Sequence, residues 1–403
     1  MQNTSPDSSM NMSQTHPQTT AMELYLSNTY TIPTGDTLTT LDHWGWSHEL
    51  GDVGLQLLAD ALRHNTTLTT LDLKNTIIGD RGAQLLADGL RYNTTLTTLN
   101  LRQNEIGDVA AQHLADGLRH NTTLVTVNLA WNEIGDVAAR RLAETLTTLD
   151  LSNNQIGDVG VQHLADALRH NTTLTTLNLG FNKIQGVGAQ HLADGLRHNT
   201  TLTTLDLWNN QIGDAGAHHL ADALRHNTTL ITVNLAYNRI GDVAARCLAD
   251  ALRHNTTLIS LDLNNNTIRD VGAQLLADGL RYNTTLTTLN LGSNKLQGVG
   301  AQHLTDGLRH NTTLITLIIW SNEVGDAGAH NLADLLQHNT TLITLDLQEN
   351  QIGDVGAHHL ADALRHNTTL TTLDFVGNEI GAEAEAKRAI FEFLERNGTG
   401  GQS

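Results

Sequence analysis

Cysteine is nearly absent from this chain: Cys247 is the only one in 403 residues. An internal disulfide framework is therefore impossible, and so is a cysteine-rich zinc site. Proline is almost as rare. Pro6, Pro17 and Pro33 all lie near the start, so nothing later carries the residue that blocks strand pairing. Basic residues are few, with Lys+Arg 23 against Asp+Glu 42 and a formal net charge of −19. That balance argues against a nucleic-acid or anionic-membrane surface, which needs a basic patch, and would suit a basic partner. No run approaches the ~18 apolar residues of a membrane helix. The opening Met1-Gln2-Asn3-Thr4-Ser5 lacks the basic and apolar regions of a secretory signal. The expectation is a soluble, cytoplasmic, monomeric protein. Length excludes one compact core, because such cores stop growing at ~250–300 residues.

What fills the chain is a repeat. The segment LTTLDLSNNQIGDVGVQHLADALRHNTT begins at Leu146 and starts again at Leu174. The same phrase opens at Leu68, Leu96, Leu124, Leu202, Leu230, Leu258, Leu286, Leu314, Leu342 and Leu370, with a degenerate copy at Leu38. That makes thirteen units. In each, a Leu-x-x-Leu-x-Leu stretch such as Leu146, Leu149 and Leu151 alternates like a short strand. A second stretch, about Asp158 to His170, places Val161, Leu164, Ala165 and Leu168 on one helical stripe. Asp158 reads as its N-cap, and Asn171 as a left-handed residue ending it. One such coil cannot bury its own apolar face, so coils must stack and pair their strands in parallel. Thirteen strands at ~4.8 Å would line a wall about 60 Å long.

The pattern LxxLxLxxNxI followed by a helix resembles the ribonuclease-inhibitor-like class of leucine-rich repeats, over about residues 38–397. The phrase ALRHNTTLTTLDL looks most like the repeat domains of nucleotide-binding leucine-rich-repeat receptors. The resemblance implies an α/β solenoid, a horseshoe with a parallel sheet on the concave side and helices on the convex side. It also implies an asparagine ladder at Asn104, Asn132, Asn154, Asn182, Asn210, Asn238, Asn266, Asn294, Asn322, Asn350 and Asn378. Thr76 and Trp46 replace the asparagine in the first two units.

Residues 1–35, rich in Ser, Thr, Asn and Gln, predict a largely disordered segment, with Leu24, Leu26 and Ile32 as a rough capping strand. The solenoid is expected over 36–381 and a capping helix over 382–397, with Ile390, Phe391 and Leu394 on its inner face, then a disordered tail over 398–403. Two units break the period. The step from Leu38 to Leu68 is longer than the others, with the excess in His43–His48. The step from Leu124 to Leu146 is shorter, with Leu-Arg-His-Asn-Thr-Thr missing, which predicts a notch on the convex side.

Catalytic signatures are missing. No phosphate-binding glycine loop, Cys-x-x-Cys or His-Glu-x-x-His motif occurs, so the reading includes no cofactor and no metal. The 21 histidines are read as solvated copies of one ancestral unit. The repeated Asn-Thr-Thr is formally a glycosylation acceptor but is read as structural. Cys247 is read as an unremarkable, partly exposed thiol, and Asp166–Arg169 and Asp194–Arg197 as i,i+3 surface pairs.

The scarce aromatics are placed unevenly. Trp44, Trp46, Trp131, Trp208 and Trp320, with Phe181 and Tyr237, all fall between the last strand leucine and the helix. Packing between coils is one reading of them. The other is a protein-interaction scaffold, because Trp and Tyr are common binding hot spots. On that reading the partner-binding strip is Trp131, Phe181, Trp208, Tyr237 and Trp320, with Asp150 and Asp206 as an acidic rim. The second functional expectation is a GTPase-activating protein resembling the Ran regulators, with Arg102, Asn104 and Arg239 as the available groups.

Overall fold

The computed structural model describes residues 39–42, 50–142, 146–381 and 385–399. The expected disorder of 1–35, its capping strand, the insertion at His43–His48 with Trp44 and Trp46, and residues 400–403 of the tail lie outside them.

Thirteen three-residue strands form one open parallel sheet, ordered as in the chain, from Thr40–Asp42 to Thr372–Asp374. Each strand pairs in register with the next: Thr148, Leu149 and Asp150 of β5 face Thr176, Leu177 and Asn178 of β6. The central leucine of these strands is buried, while the flanking Thr and Asp or Asn look out onto the concave side. Helices alternate with the strands on the convex side. In Asp158–Leu168 the inward stripe is Gly160, Val161, Leu164, Ala165 and Leu168, as the 3.6-residue period requires. The leucine and isoleucine rows of successive coils join into one continuous core, each buried side chain contributing about 1.5–3 kcal/mol. This open parallel sheet with helices on the other side is the solenoid that the resemblance implies, consistent with its horseshoe.

The asparagine ladder is present. The Asn210 amide donates to Leu179 O of the preceding coil and to its own Leu207 O, both at 3.0 Å. Its Oδ1 accepts from Ile184 N. Thr76 holds the end of the row, its N–H donating to Asn104 Oδ1 and its hydroxyl to Leu73 O. A second ladder goes beyond the expectation. The Asn-Thr-Thr asparagine expected to end each helix in a left-handed conformation is extended where it is the cap, at φ −74° for Asn227. Asn227 is buried, donates to Leu196 O and Asn199 O of the coil before, and accepts from Thr229 N and Leu230 N. An amide spent in this way has no free nitrogen for a glycan.

Asp158 also departs from expectation. Its helix is capped by Gly157 with no side-chain bond. The Asp158 carboxylate instead accepts from Gln185 N of the next coil at 2.7 Å. Asp214, Asp242, Asp270 and Asp326 do the same, each reaching the cap N–H and the third helical N–H of the following helix. A carboxylate there satisfies orphan donors and complements the helix dipole. Gly186 and Gly298 replace this aspartate in their coils. The helices that follow, Gly213–His226 and Gly325–His338, begin instead at a glycine with φ of +61° and +59°. Only a residue without Cβ adopts that conformation freely.

The short unit spares the sheet: its strand β4, Thr126–Asn128, still pairs with β5, and its helix is described over Asp136–Leu142. At the far end, the helix Glu385–Thr399 covers the last coil. Ile390 and Leu394 are buried against the core, whereas Phe391, expected inside, is 56 % exposed with its ring 5.6 Å from Phe375.

Candidate functional site

In the described coils the turn from strand to helix passes through a left-handed residue just before the ladder position, and Ile77, Arg239 and Gln351 add a second in theirs. The series includes Gln103, Trp131, Asn153, Phe181, Asn209, Tyr237 and Asn265, with φ between 50° and 58°. Trp131, Phe181 and Tyr237 therefore occupy a position where a bulky L-residue costs about 1–2 kcal/mol. Burial does little to offset it: their exposures are 50 %, 44 % and 46 %.

Trp208 and Trp320 sit one residue earlier, so the strip is two rows and not one. Trp208 lies over the Gly180 backbone, where an added Cβ would collide with the indole. Trp320 lies over Gly292 in the same way. Leaning back one coil brings Trp208 against Phe181, with centroids 5.5 Å apart, and it also meets Tyr237 edge-on at 6.2 Å. These three rings form one cluster across three coils. Trp131 stands apart beneath the Arg102 guanidinium, 5.7 Å from its ring centroid, and Trp320 stands apart over Gly292.

Between Phe181 and Tyr237 opens a groove of about 420 Å³ along the loop edge, with Gln211, Arg239 and Thr267 also in its lining. Asp150 and Asp206 lie on the neighbouring strands. Each uses a carboxylate oxygen on the backbone, accepting from Ser152 N and Trp208 N at 2.9 Å. Burial pushes the Asp206 carboxyl above its ordinary range, against the opposing pull of Trp208 N–H and Asn234. Asn234 sits between Asp206 and Asp262 and donates to Asp206, separating two like charges. These aspartates hold the strand ends.

The groups considered for GTPase activation do not meet. Asn104 is buried in the ladder, with its amide donating to Leu73 O and Leu101 O. Arg102 and Arg239 stand five coils apart. On the convex face Cys247 has more company than expected: His218 Nδ1 lies 3.0 Å from its sulfur, and burial pushes the thiol up. Arg197 pairs within its helix with Asp194 and also with Asp222 of the next helix, and that guanidinium holds the Asp222 carboxyl below its usual range. Arg225–Asp250 and Arg309–Asp334 repeat the helix-to-helix pairing, which the i,i+3 spacing does not contain.

Among the described residues no helix is long and apolar enough to cross a membrane. Twelve segments, from 64–87 to 366–384, match the family model described as leucine-rich repeat, and together they cover more than half of the chain. No curated protein matches the sequence. An internalin from Listeria monocytogenes shares the fold with a TM-score of 0.56 at 22 % identity, over 94 % of this chain and 92 % of that one. The actin-binding site 2 of leiomodin-1 aligns over 45 % of this chain and 89 % of its own at 22 % identity, with a TM-score of 0.33. With this repeat covering the chain and this fold, the protein belongs to the leucine-rich-repeat family.

Proposed function

We propose that the chain is a non-catalytic protein-interaction scaffold of the ribonuclease-inhibitor-like class, and that its partner docks on the loop edge carrying Phe181, Trp208 and Tyr237. Helices of eleven to fourteen residues in nearly every coil support the class. One observation carries the site. Three rings are brought together on a surface where two of them sit half-exposed in a left-handed backbone. Packing alone does not account for rings at that position, because most coils fill it with Asn, Ser, Gln or Glu. Trp208 anchors the cluster from behind and its neighbours present it. Clustered Trp and Tyr are the residues whose truncation costs about 2 kcal/mol or more at interfaces.

The test separates fold from binding. Tyr237→Ala and Phe181→Ala are expected to leave the melting temperature nearly unchanged while abolishing capture of the partner recovered from the source cell by the parent protein. Capture that survives both substitutions would place the binding site elsewhere on the solenoid.

A further inference from the structure

We infer that the partner segment is acidic: an extended peptide of polyproline II type with carboxylates spaced about three residues apart, flanking an apolar side chain seated between Phe181 and Tyr237. The inference rests on the loop-edge reading above and adds its charge, reversing the basic partner that the overall balance suggests.

The position just after the ladder asparagine is exposed in coil after coil, and its charge changes along the molecule. It is acidic near the start, at Glu105 and Glu133, and again near the end, at Glu323 and Glu379. In the middle it is basic, with Lys183, Arg239 and Lys295 all exposed, and Arg269 exposed two residues further along its own coil. Among the described residues none of these four side chains stands within ion-pair distance of a carboxylate. The acids beside Arg239 and Arg269 in sequence, Asp242 and Asp270, each accept a backbone N–H group of the next coil. The coils of Lys183 and Lys295 also lack that aspartate, carrying Gly186 and Gly298 instead. A molecule with net charge −19 thus carries a local basic run, and it coincides with the aromatic cluster.

The spacing supplies the shape of the ligand. The run is tied coil to coil by backbone bonds, Lys183 N to Ile156 O and Lys295 N to Ile268 O among them. Neighbouring coils are then ~5 Å apart at this edge, and Lys183, Arg239 and Lys295, two coils apart, are separated by ~10 Å. A peptide in the polyproline II conformation rises ~3.1 Å per residue with about three residues per turn, so carboxylates three residues apart lie on one side and meet successive cations. The groove between Phe181 and Tyr237 falls between the first two, which is where the apolar residue belongs. Four cations in an acidic molecule favour a short acidic peptide over a nucleic-acid strand, whose binding draws on many phosphate contacts.

The test selects a displayed random-peptide library on the full chain, then measures the enriched peptides, and a single-stranded oligonucleotide, against variants. The expected pool is net acidic with an apolar residue between acids. Its members should bind about tenfold or more weakly to a Lys183→Glu, Arg239→Glu, Lys295→Glu variant that keeps the parent circular dichroism and melting temperature. A neutral or basic pool, no enrichment, unchanged affinity for that variant, or tighter binding of the oligonucleotide than of any peptide overturns the inference. A Phe181→Ala, Tyr237→Ala variant tells the two readings apart. Acidic peptides that still bind it sink the aromatic edge and keep the charge. Peptides that lose it without acidic bias keep the edge and sink the charge.

Discussion

Among single residues, the aromatic cluster depends on a glycine in the coil before it. Gly180 accepts no Cβ because the Trp208 indole fills that space, and the same relation holds between Gly292 and Trp320. Other coils carry Ala130 or Ala236 there, where no tryptophan follows one repeat later. Gly180→Ala should therefore push Trp208 off its neighbour and cost about 1–3 kcal/mol, as overpacking does. In a Trp208→Ala background the same change should cost close to nothing, and denaturant titration of the parent, both single variants and the double variant measures that coupling. Additive effects would mean that the indole does not rest on Gly180. The left-handed residues differ in origin. Coil after coil imposes that turn whatever the side chain, so the φ of Phe181 and Tyr237 belongs to the fold and the rings themselves to this chain.

Between elements, the solenoid closes its side-chain hydrogen bonds from coil to coil. Two asparagine rows and one aspartate row each take the orphan backbone groups of a neighbour. The short fourth unit interrupts one of these. Its sequence omits Leu-Arg-His-Asn-Thr-Thr, so the second row passes from Asn121 to Asn171 without an asparagine between. The helix Asp136–Leu142 keeps Ala138, Ala139 and Leu142 buried. Amide hydrogen exchange should be faster over this helix than over Asp158–Leu168, because local opening follows the loss of buried contacts. Equal protection in the two helices would show that the neighbouring coils compensate fully.

Over the full length of the solenoid, contacts run between adjacent coils, so stability is a sum along a line. The last coil is closed by the helix Glu385–Thr399. Arg396 donates to Leu364 O, Arg365 O and Asn367 O, and the Asn397 amide donates to Asn367 O and Leu370 O. Asn397 thereby completes the second ladder from within a helix whose sequence no longer reads as the repeat. Deleting 385–399 should uncover Leu370, Leu373 and Phe375, and exchange protection should then fall most in the last coil and recover toward the centre. Uniform loss of protection along the chain would contradict a nearest-neighbour stack.

The resemblance to leucine-rich repeats supplies the first asparagine ladder, while residue order alone specifies the repeat, the succession and parallel pairing of the strands and the inward leucines. Each of these follows from a local period that recurs along the chain, and a period is visible without coordinates. The shortness of the fourth unit is legible for the same reason, as an interval that falls below the period. Asp158, Asn227 and Trp208 escape a local reading because their partners lie 27 to 31 residues away, in the adjacent coil. Local rules assign such residues to their own helix or loop. Stacking decides that the aspartate caps its neighbour, that the asparagine bridges two coils, and that one tryptophan joins Phe181 to Tyr237 while Trp131 and Trp320 stand alone. The charge of this loop edge is hidden likewise. Lys183, Arg239 and Lys295 are scattered through an acidic sequence, and the solenoid brings them into one row by placing the same position of every coil on the same edge.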